Sequence, residues 1–290
     1  MHPQLDPTIY TVFRAGECFG QNIIIATLPA GQKYGTGSAA ALANQVKKFF
    51  PNLWFGLLLG VAAGLPNLSR TPLCDIRLRD ALLELSDGES AGLVAYDLGK
   101  ETTDGGFQPL PRGQVMATIE TIIRSAIGSI MQDAPDDAKL CLKFYEAIKN
   151  KEHAAGTFAD PDQQHDKLYV TGKDGVETKR EELRDTYDLI GLEMEAAGTM
   201  NRIPVGVFRG ACDYGDLHKN KDWQPYAAAK AAAYAKAVLR EVSASSSSAS
   251  DLAAPSPSAS PMHSVSDGSV TGRDVMAGVS MNGINTFNFS

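Results

Sequence analysis

The stretch Ile190-Gly-Leu-Glu-Met-Glu-Ala-Ala-Gly198, followed after a short spacer by Val205-Gly-Val-Phe-Arg-Gly-Ala-Cys-Asp-Tyr-Gly-Asp216, decides the fold. An apolar run, Leu189 to Leu192, ends in Glu193 and Glu195, where a helix-like Met-Glu-Ala-Ala begins. A second apolar run, Val205 to Phe208, ends in Arg-Gly-Ala-Cys-Asp. Two strands that each deliver a carboxylate at the C-terminal end make the usual site geometry of an open α/β sheet. The same residues have a plainer use: Glu193 and Glu195 can cap a helix and Asp213 can sit in a turn, as most surface carboxylates simply face water.

Working outward, strands alternate with helices, the pattern of an α/β domain. Asn22 to Leu28 is β-branched and continuous, a buried strand. Pro29 to Gly37 is a loop, after which Ser38 caps an Ala-rich helix running to Phe49, with Lys47 and Lys48 in its last turn. Trp54 to Val61 is a second buried strand, ending in the small-residue corner Gly60-Val-Ala-Ala-Gly64. Such a corner lets a ligand approach the backbone, or lets a strand and a helix pack tightly. Ala81 to Leu85 and Gly92 to Tyr96 read as further strands. Gln114 to Met131 and Asp136 to Lys149 have helical spacing. Tyr169 to Gly172 reads as a short strand and Glu177 to Asp185 as a charged surface helix. Trp223 to Val242 is Ala-rich, with high helix propensity, and closes the domain.

At residue 243 the composition breaks. Residues 1–242 form one domain; 243–267, dominated by Ser, Ala and Pro, read as a disordered linker. Residues 268–290 are punctuated by glycines, carry few charges and end Asn285-Thr-Phe-Asn-Phe-Ser290. A segment of this type pairs with copies of itself or remains an inert tail. On its tether it is expected not to pack on the domain.

The chain of 290 residues has a net charge of −7 and no basic stripe, which argues against nucleic acid as a partner. Cys18, Cys74, Cys141 and Cys212 are scattered, with no metal-ligand spacing and no disulfide framework, so reduced thiols and a cytoplasmic location are expected. Met1 to Pro7 is not a signal peptide, and the longest apolar run, Leu57 to Leu65, is too short to span a bilayer. No metal and no cofactor are expected.

Five motifs then fall in one order: Gly60-Val-Ala-Ala-Gly-Leu-Pro66, Arg77-Leu-Arg-Asp80, Tyr96-Asp-Leu-Gly-Lys100, Glu193-Met-Glu-Ala-Ala-Gly198 and Arg209-Gly-Ala-Cys-Asp-Tyr-Gly-Asp216. Over roughly residues 8 to 242 they resemble the purine and uridine phosphorylase superfamily, which includes the methylthioadenosine/S-adenosylhomocysteine nucleosidases. The likeness extends to the fungal branch joined to NACHT, ankyrin and TPR receptor proteins, with His218-Lys-Asn-Lys-Asp-Trp-Gln224 as its signature. The resemblance implies a three-layer α/β/α sandwich with a mixed, partly closed central sheet. It implies a purine nucleoside as ligand, and allows a homo-oligomer and an NLR-type receptor reached through the C-terminal tail.

By the same resemblance, Met194 and Glu195 contact the ribose, with Glu193 beside them, and Asp213 contacts the purine at N7. Cys212 lines the base pocket, and Gly60, Val61, Ala62 and Ala63 sit beside base and sugar. The chemistry accounts for these residue types. Breaking a ribosyl C–N bond puts positive charge on the sugar and negative charge on the base. A protonated carboxyl near N7, which burial favours, neutralises the leaving group, a general-acid effect of roughly 10²–10⁴-fold. A carboxylate at the ribose hydroxyls orients the sugar and favours its positive charge.

Two departures qualify the resemblance. The family's opening strand and its following loop have no counterpart before Asn22. Leu58 stands where the phosphorylases place a phosphate-binding Arg, and an aliphatic side chain cannot bind phosphate. An active site here favours water over phosphate as the nucleophile, with a phosphorylase as the lesser alternative. Two functions therefore stay open: a purine nucleoside ribohydrolase, or a degenerate nucleosidase-like domain that signals through its tail.

Overall fold

The structure, a computed structural model, describes residues 11–31, 34–86, 92–96, 99–101, 107–109, 119–133, 137–169, 179–252 and 274–279. The chain opens with a hairpin, β1 (Phe13–Cys18) and β2 (Gln21–Ala26), and enters helix α1 (Thr36–Phe49). There follow β3 (Leu53–Gly64), β4 (Ala81–Leu83) and the small pair β5 (Gly99–Glu101) and β6 (Phe107–Pro109). Helices α2 (Thr121–Gln132), α3 (Asp137–Lys149) and α4 (Lys179–Tyr187) lead to β7 (Gly191–Leu192) and the short α5 (Ala196–Met200). The chain ends with β8 (Val205–Asp213), α6 (Trp223–Leu252) and β9 (Asp274–Val279).

The main sheet has the order β1-β2-β9-β3-β8-β4, with β7 also paired to β3. It is mixed: β3 runs parallel to β8 and β9, while β4, β7 and β1 pair antiparallel with their neighbours. The order ends in two free edges, so the sheet is open rather than partly closed as the resemblance implied.

Period-two alternation sorts the apolar residues of β3 into two cores. Phe55, Leu57 and Leu59 face α2 and α6 in one cluster with Phe208 and Val238. Leu58 turns the other way, against Val46 of α1, Ala196 and Met200 of α5, and Val205 and Val207 of β8. Helices thus cover both faces of the sheet, the three-layer arrangement the motifs imply. Both strands at the centre, β3 and β8, are nearly all apolar, as strands buried on two faces must be. Two glycines let the layers close up. A Cβ on Gly210 would lie 2.0 Å from the Ala227 carbonyl oxygen of α6, and one on Gly198 would lie 2.0 Å from the Thr36 carbonyl oxygen of α1.

The elements differ from expectation in definite places. Helix α1 starts at Thr36, ahead of Ser38, and its cap position is Gly35. Gly92–Tyr96 forms no strand. Helix α2 begins at Thr121; residues 114–118 of the longer helix expected there lie outside the described residues. So do residues 170–172 of the expected strand at Tyr169, residues 253–273 and residues 280–290.

The closing helix is longer than the expected Trp223–Val242. Helix α6 runs on through the first serines to Leu252. The Ser243 hydroxyl donates to the Phe19 carbonyl at 2.5 Å and the Ser245 hydroxyl to the Glu241 carbonyl at 2.9 Å, which keeps these hydroxyls satisfied inside a helix. Nor is the tail wholly detached from the domain. Strand β9 lies between β2 and β3, parallel to both. The ladder groups of β2 and β3 need partners, and β9 supplies them. Among the described residues, no helix is long and apolar enough to cross a membrane.

Candidate active site

The carboxylates of the deciding stretch end in two linked places. After β7 the chain turns at Glu193, whose carboxylate accepts the backbone N–H groups of Glu195 and Ala196 at 3.0 and 2.9 Å. Glu193 therefore caps α5, a helix of Ala-Ala-Gly-Thr-Met too short to hold itself. The guanidinium of Arg209, on β8, reaches both acids: Nη2 lies 2.5 Å from Glu193 Oε2 and 3.2 Å from Glu195 Oε2. Glu195 is buried and also accepts backbone hydrogen bonds from Gly35 and Met194. Burial pushes its carboxyl above the usual range, Arg209 opposes this, and the neighbouring Glu193 adds to it. Met194, between the two acids, is exposed.

Asp213 closes β8. The β3–β8 register slips there: Ala62 faces Ala211, but Ala63 faces Asp213, leaving Cys212 as the extra residue of a bulge. Bulges of this kind re-aim side chains and occur at the ends of strands that carry sites. Asp213 Oδ1 accepts the Gly215 N–H at 2.7 Å and lies 3.5 Å from the Lys219 ammonium; the Cys212 thiol donates to Oδ2 at 3.5 Å. The following turn is pinned by Arg180 of α4, whose Nη1 donates to the Tyr214 carbonyl at 2.6 Å. Burial first, and Asp213 second, push the Cys212 thiol far up, so it remains a neutral wall and not a nucleophile.

A cavity of about 170 Å³ opens over Asp213 and Cys212. Its far side is the loop carrying His165, Lys167 and Tyr169, with His218 and Asn220 from the turn after β8. Tyr214 ties that loop down, its hydroxyl donating to Asp166 at 2.5 Å. The Tyr169 ring stacks on His218 with centroids 4.2 Å apart. Of the residues expected at the site, the cavity takes Asp213 and Cys212. Glu195, Glu193, Met194 and Gly60 to Ala63 are not in its lining. The cause is Arg209, which holds both glutamates over the middle of β8, four residues or about 13 Å of strand from Asp213. Gly60 pairs with Arg209 in the sheet, Ala62 packs with Leu82 and Ala211, and Val61 packs beneath Cys212 against Trp223 and Tyr226. Ala63 comes nearest, its Cβ within 3.4 Å of where a Gly215 side chain would start.

Sequence reasoning gave no site role to Arg209, Lys219 or Asn220, although they lie within quoted motifs, and did not single out His165 or Lys167. Arg209 was readable in principle, because a charge inside an apolar strand is buried only when it is paired. His165 and Lys167 carry no local pattern that marks them.

Comparison with known proteins adds the following. No protein-family model matches the chain. A nucleotide-binding leucine-rich repeat (NLR)-like protein of Hyaloscypha variabilis is 32% identical over 273 residues, covering 82% of this chain and 26% of that protein. The chain therefore spans about a quarter of the length of this curated relative. A futalosine hydrolase mutant of Helicobacter pylori strain 26695 superposes with a TM-score of 0.50 at 16% identity, covering 81% of this chain and 88% of that one. A 5'-methylthioadenosine/S-adenosyl homocysteine nucleosidase of Helicobacter pylori gives a TM-score of 0.46 at 19% identity, over 81% and 87% of the two chains. At this level of identity the likeness shows a shared fold: the chain has the α/β architecture of the futalosine hydrolase.

Proposed function

We propose that this domain cleaves the N-glycosidic bond of a purine nucleoside, with water as the nucleophile. The observation that carries the reading is Asp213, a buried carboxylate at the end of the central strand, opening onto a small polar cavity rimmed by a stacked Tyr–His pair. A carboxyl there protonates the purine as it leaves, and the aromatic face of Tyr169 offers the base a stacking surface. Glu195, the ribose contact that the resemblance implies, is held by Arg209 outside this cavity, so the reading rests on Asp213. Water is favoured over phosphate because Leu58 points into the α1–α5 core, where no phosphate could be met. The fold of a futalosine hydrolase supports the assignment at the level of architecture.

A second reading has its own support. Both glutamates are engaged by Arg209, one of them also as a helix cap, and the chain is similar to a quarter of an NLR-like protein. In that reading the domain binds a nucleoside without turning it over and acts as the sensing part of a receptor system. One experiment separates the two. Purified protein is incubated with adenosine and inosine, free base is followed by chromatography, and nucleoside binding is followed by calorimetry. Base release without added phosphate supports the hydrolase. Binding without release supports the sensor and contradicts the hydrolase. Release only in the presence of phosphate overturns the choice of water.

A further inference from the structure

Strand β9 enters the sheet in an unusual way. Its residues Asp274–Gly278 pair with Asn22–Ala26 of β2 on one side, and Asp274–Val279 pair with Leu53–Leu59 of β3 on the other. Helix α6 ends at Leu252 and β9 starts at Asp274, leaving 21 intervening residues (274 − 252 − 1). Fully extended, a connection of that many residues reaches on the order of 70 Å. Strands β2 and β3 make no ladder with each other. Removing β9 would leave two parallel rows of unpaired N–H and C=O groups facing one gap. That is the geometry by which sheets capture extended peptides.

We propose that the gap between β2 and β3 is a strand-binding site, separate from the Asp213 cavity. Its ligand class is an extended segment of about six residues inserted parallel to β3, and its occupant is this chain's own Asp274–Val279. The proposal goes beyond the nucleosidase reading and does not rest on it. Asp274-Val-Met-Ala-Gly-Val279 fits by backbone and composition: no proline interrupts the ladder, and its one charge stands at the first position. The binding also settles the fate of the tail. The backbone groups that β9 gives to β2 and β3 are those it would need to stack with copies of itself, so the two uses exclude each other. The domain keeps the segment from assembling for as long as the strand is seated.

Seating reaches the site as well. Along Gly56–Ala63, β8 takes one edge of β3, so β9 and β7 must share the other. Strand β9 ends opposite Leu59, and β7 pairs opposite Ala63 just ahead of Glu193 and Glu195. An occupied gap therefore braces the edge of β3 from which the glutamates are hung.

The test uses the full chain with a specific protease site placed between residues 255 and 267. After cleavage, size-exclusion chromatography with mass spectrometry follows the tail fragment, and a fluorescent peptide of residues 271–282 reports exchange. The expected result is a tail fragment that co-elutes with a monomeric body and is displaced by the peptide. The same peptide carrying Ala277→Pro, which lacks a ladder N–H, should compete at least about tenfold more weakly. A tail that elutes alone from a body with unchanged circular dichroism would overturn the proposal. So would equal competition by the proline peptide. A dimeric body holding two tails would overturn occupation of the gap by the chain's own segment. Should the cleaved protein precipitate, hydrogen exchange on the full-length chain decides: Ala277→Pro should speed exchange of β2 and β3 amides at least about tenfold, and unchanged protection would refute the site.

Discussion

At the scale of single residues, charge burial organises the site. Arg209 is almost fully buried, and its Nε finds no acceptor among the described residues, so its stability depends on Glu193 and Glu195. Removing one member of such a cluster leaves the others uncompensated. Arg209→Met is expected to destabilise the fold by about 3–5 kcal/mol. The loss should be greater at pH 8 than at pH 5. Without the guanidinium the Glu195 carboxyl, already pushed up by burial, rises further and takes up a proton in acid, which relieves the site. Urea unfolding at the two pH values checks this; an equal loss at both would contradict it. Glu84 shows the same physics without a close partner. Burial pushes its carboxyl up to about 7, with Arg124 only partly opposing, and its Oε2 has no hydrogen-bond partner among the described residues. A raised carboxyl contributes stability while it holds its proton. That contribution is complete below the unfolded value and is lost as pH rises through about 7. Glu84→Gln should therefore gain about 2 kcal/mol over the natural chain at pH 8, and the gain should vanish near pH 4.5. A gain that did not change with pH would tell against this account.

Elements are held by close approaches as much as by side-chain volume. Helix α5 is five residues long, so its place depends on Glu193 at its start and on contact with α1. The contact is backbone to backbone at Gly198, and it brings Gly35 to within reach of Glu195. Gly198→Ala drives a methyl group into the Thr36 carbonyl and cannot be relieved by a rotamer change. It is expected to cost about 1–3 kcal/mol and to weaken nucleoside binding with it; a variant as stable as the natural chain would contradict the packing described. This scale also shows what the sequence could and could not disclose. Val205 to Cys212 was legible as a central strand because it is apolar but for Arg209, and α6 because it is rich in alanine. Glu193 as a helix cap was legible as the plainer use of a Glu-x-Glu pair. The course of α6 beyond Val242 was not: serine is a weak helix former on its own, and its hydroxyls here find carbonyl acceptors at Phe19 and Glu241. Nor was the cavity, whose loop residues His165, Lys167 and Tyr169 are brought to Asp213 through one Tyr214–Asp166 hydrogen bond far apart in sequence.

The whole molecule is an open mixed sheet between two helical layers, with both ends of the described chain meeting in it. The hairpin β1–β2 comes from one end, β9 from the other, and they pair. No periodicity could have revealed this, because a parallel pairing over so long a sequence separation leaves no local mark. The glycines and low charge of the last residues are equally suited to a strand in a sheet and to a strand in an assembly. At the C-terminal edge of the sheet lies the cavity over Asp213, where an open α/β fold places its ligands. The central claim is that this carboxyl protonates a departing purine for attack by water. The most direct measurement is base release from adenosine and inosine in phosphate-free buffer, comparing the natural chain with Asp213→Asn. The account predicts release by the natural chain, unchanged by added phosphate, and at least about 100-fold less by the variant at an unchanged melting temperature. Equal release by the two proteins, or release that requires phosphate, would contradict it.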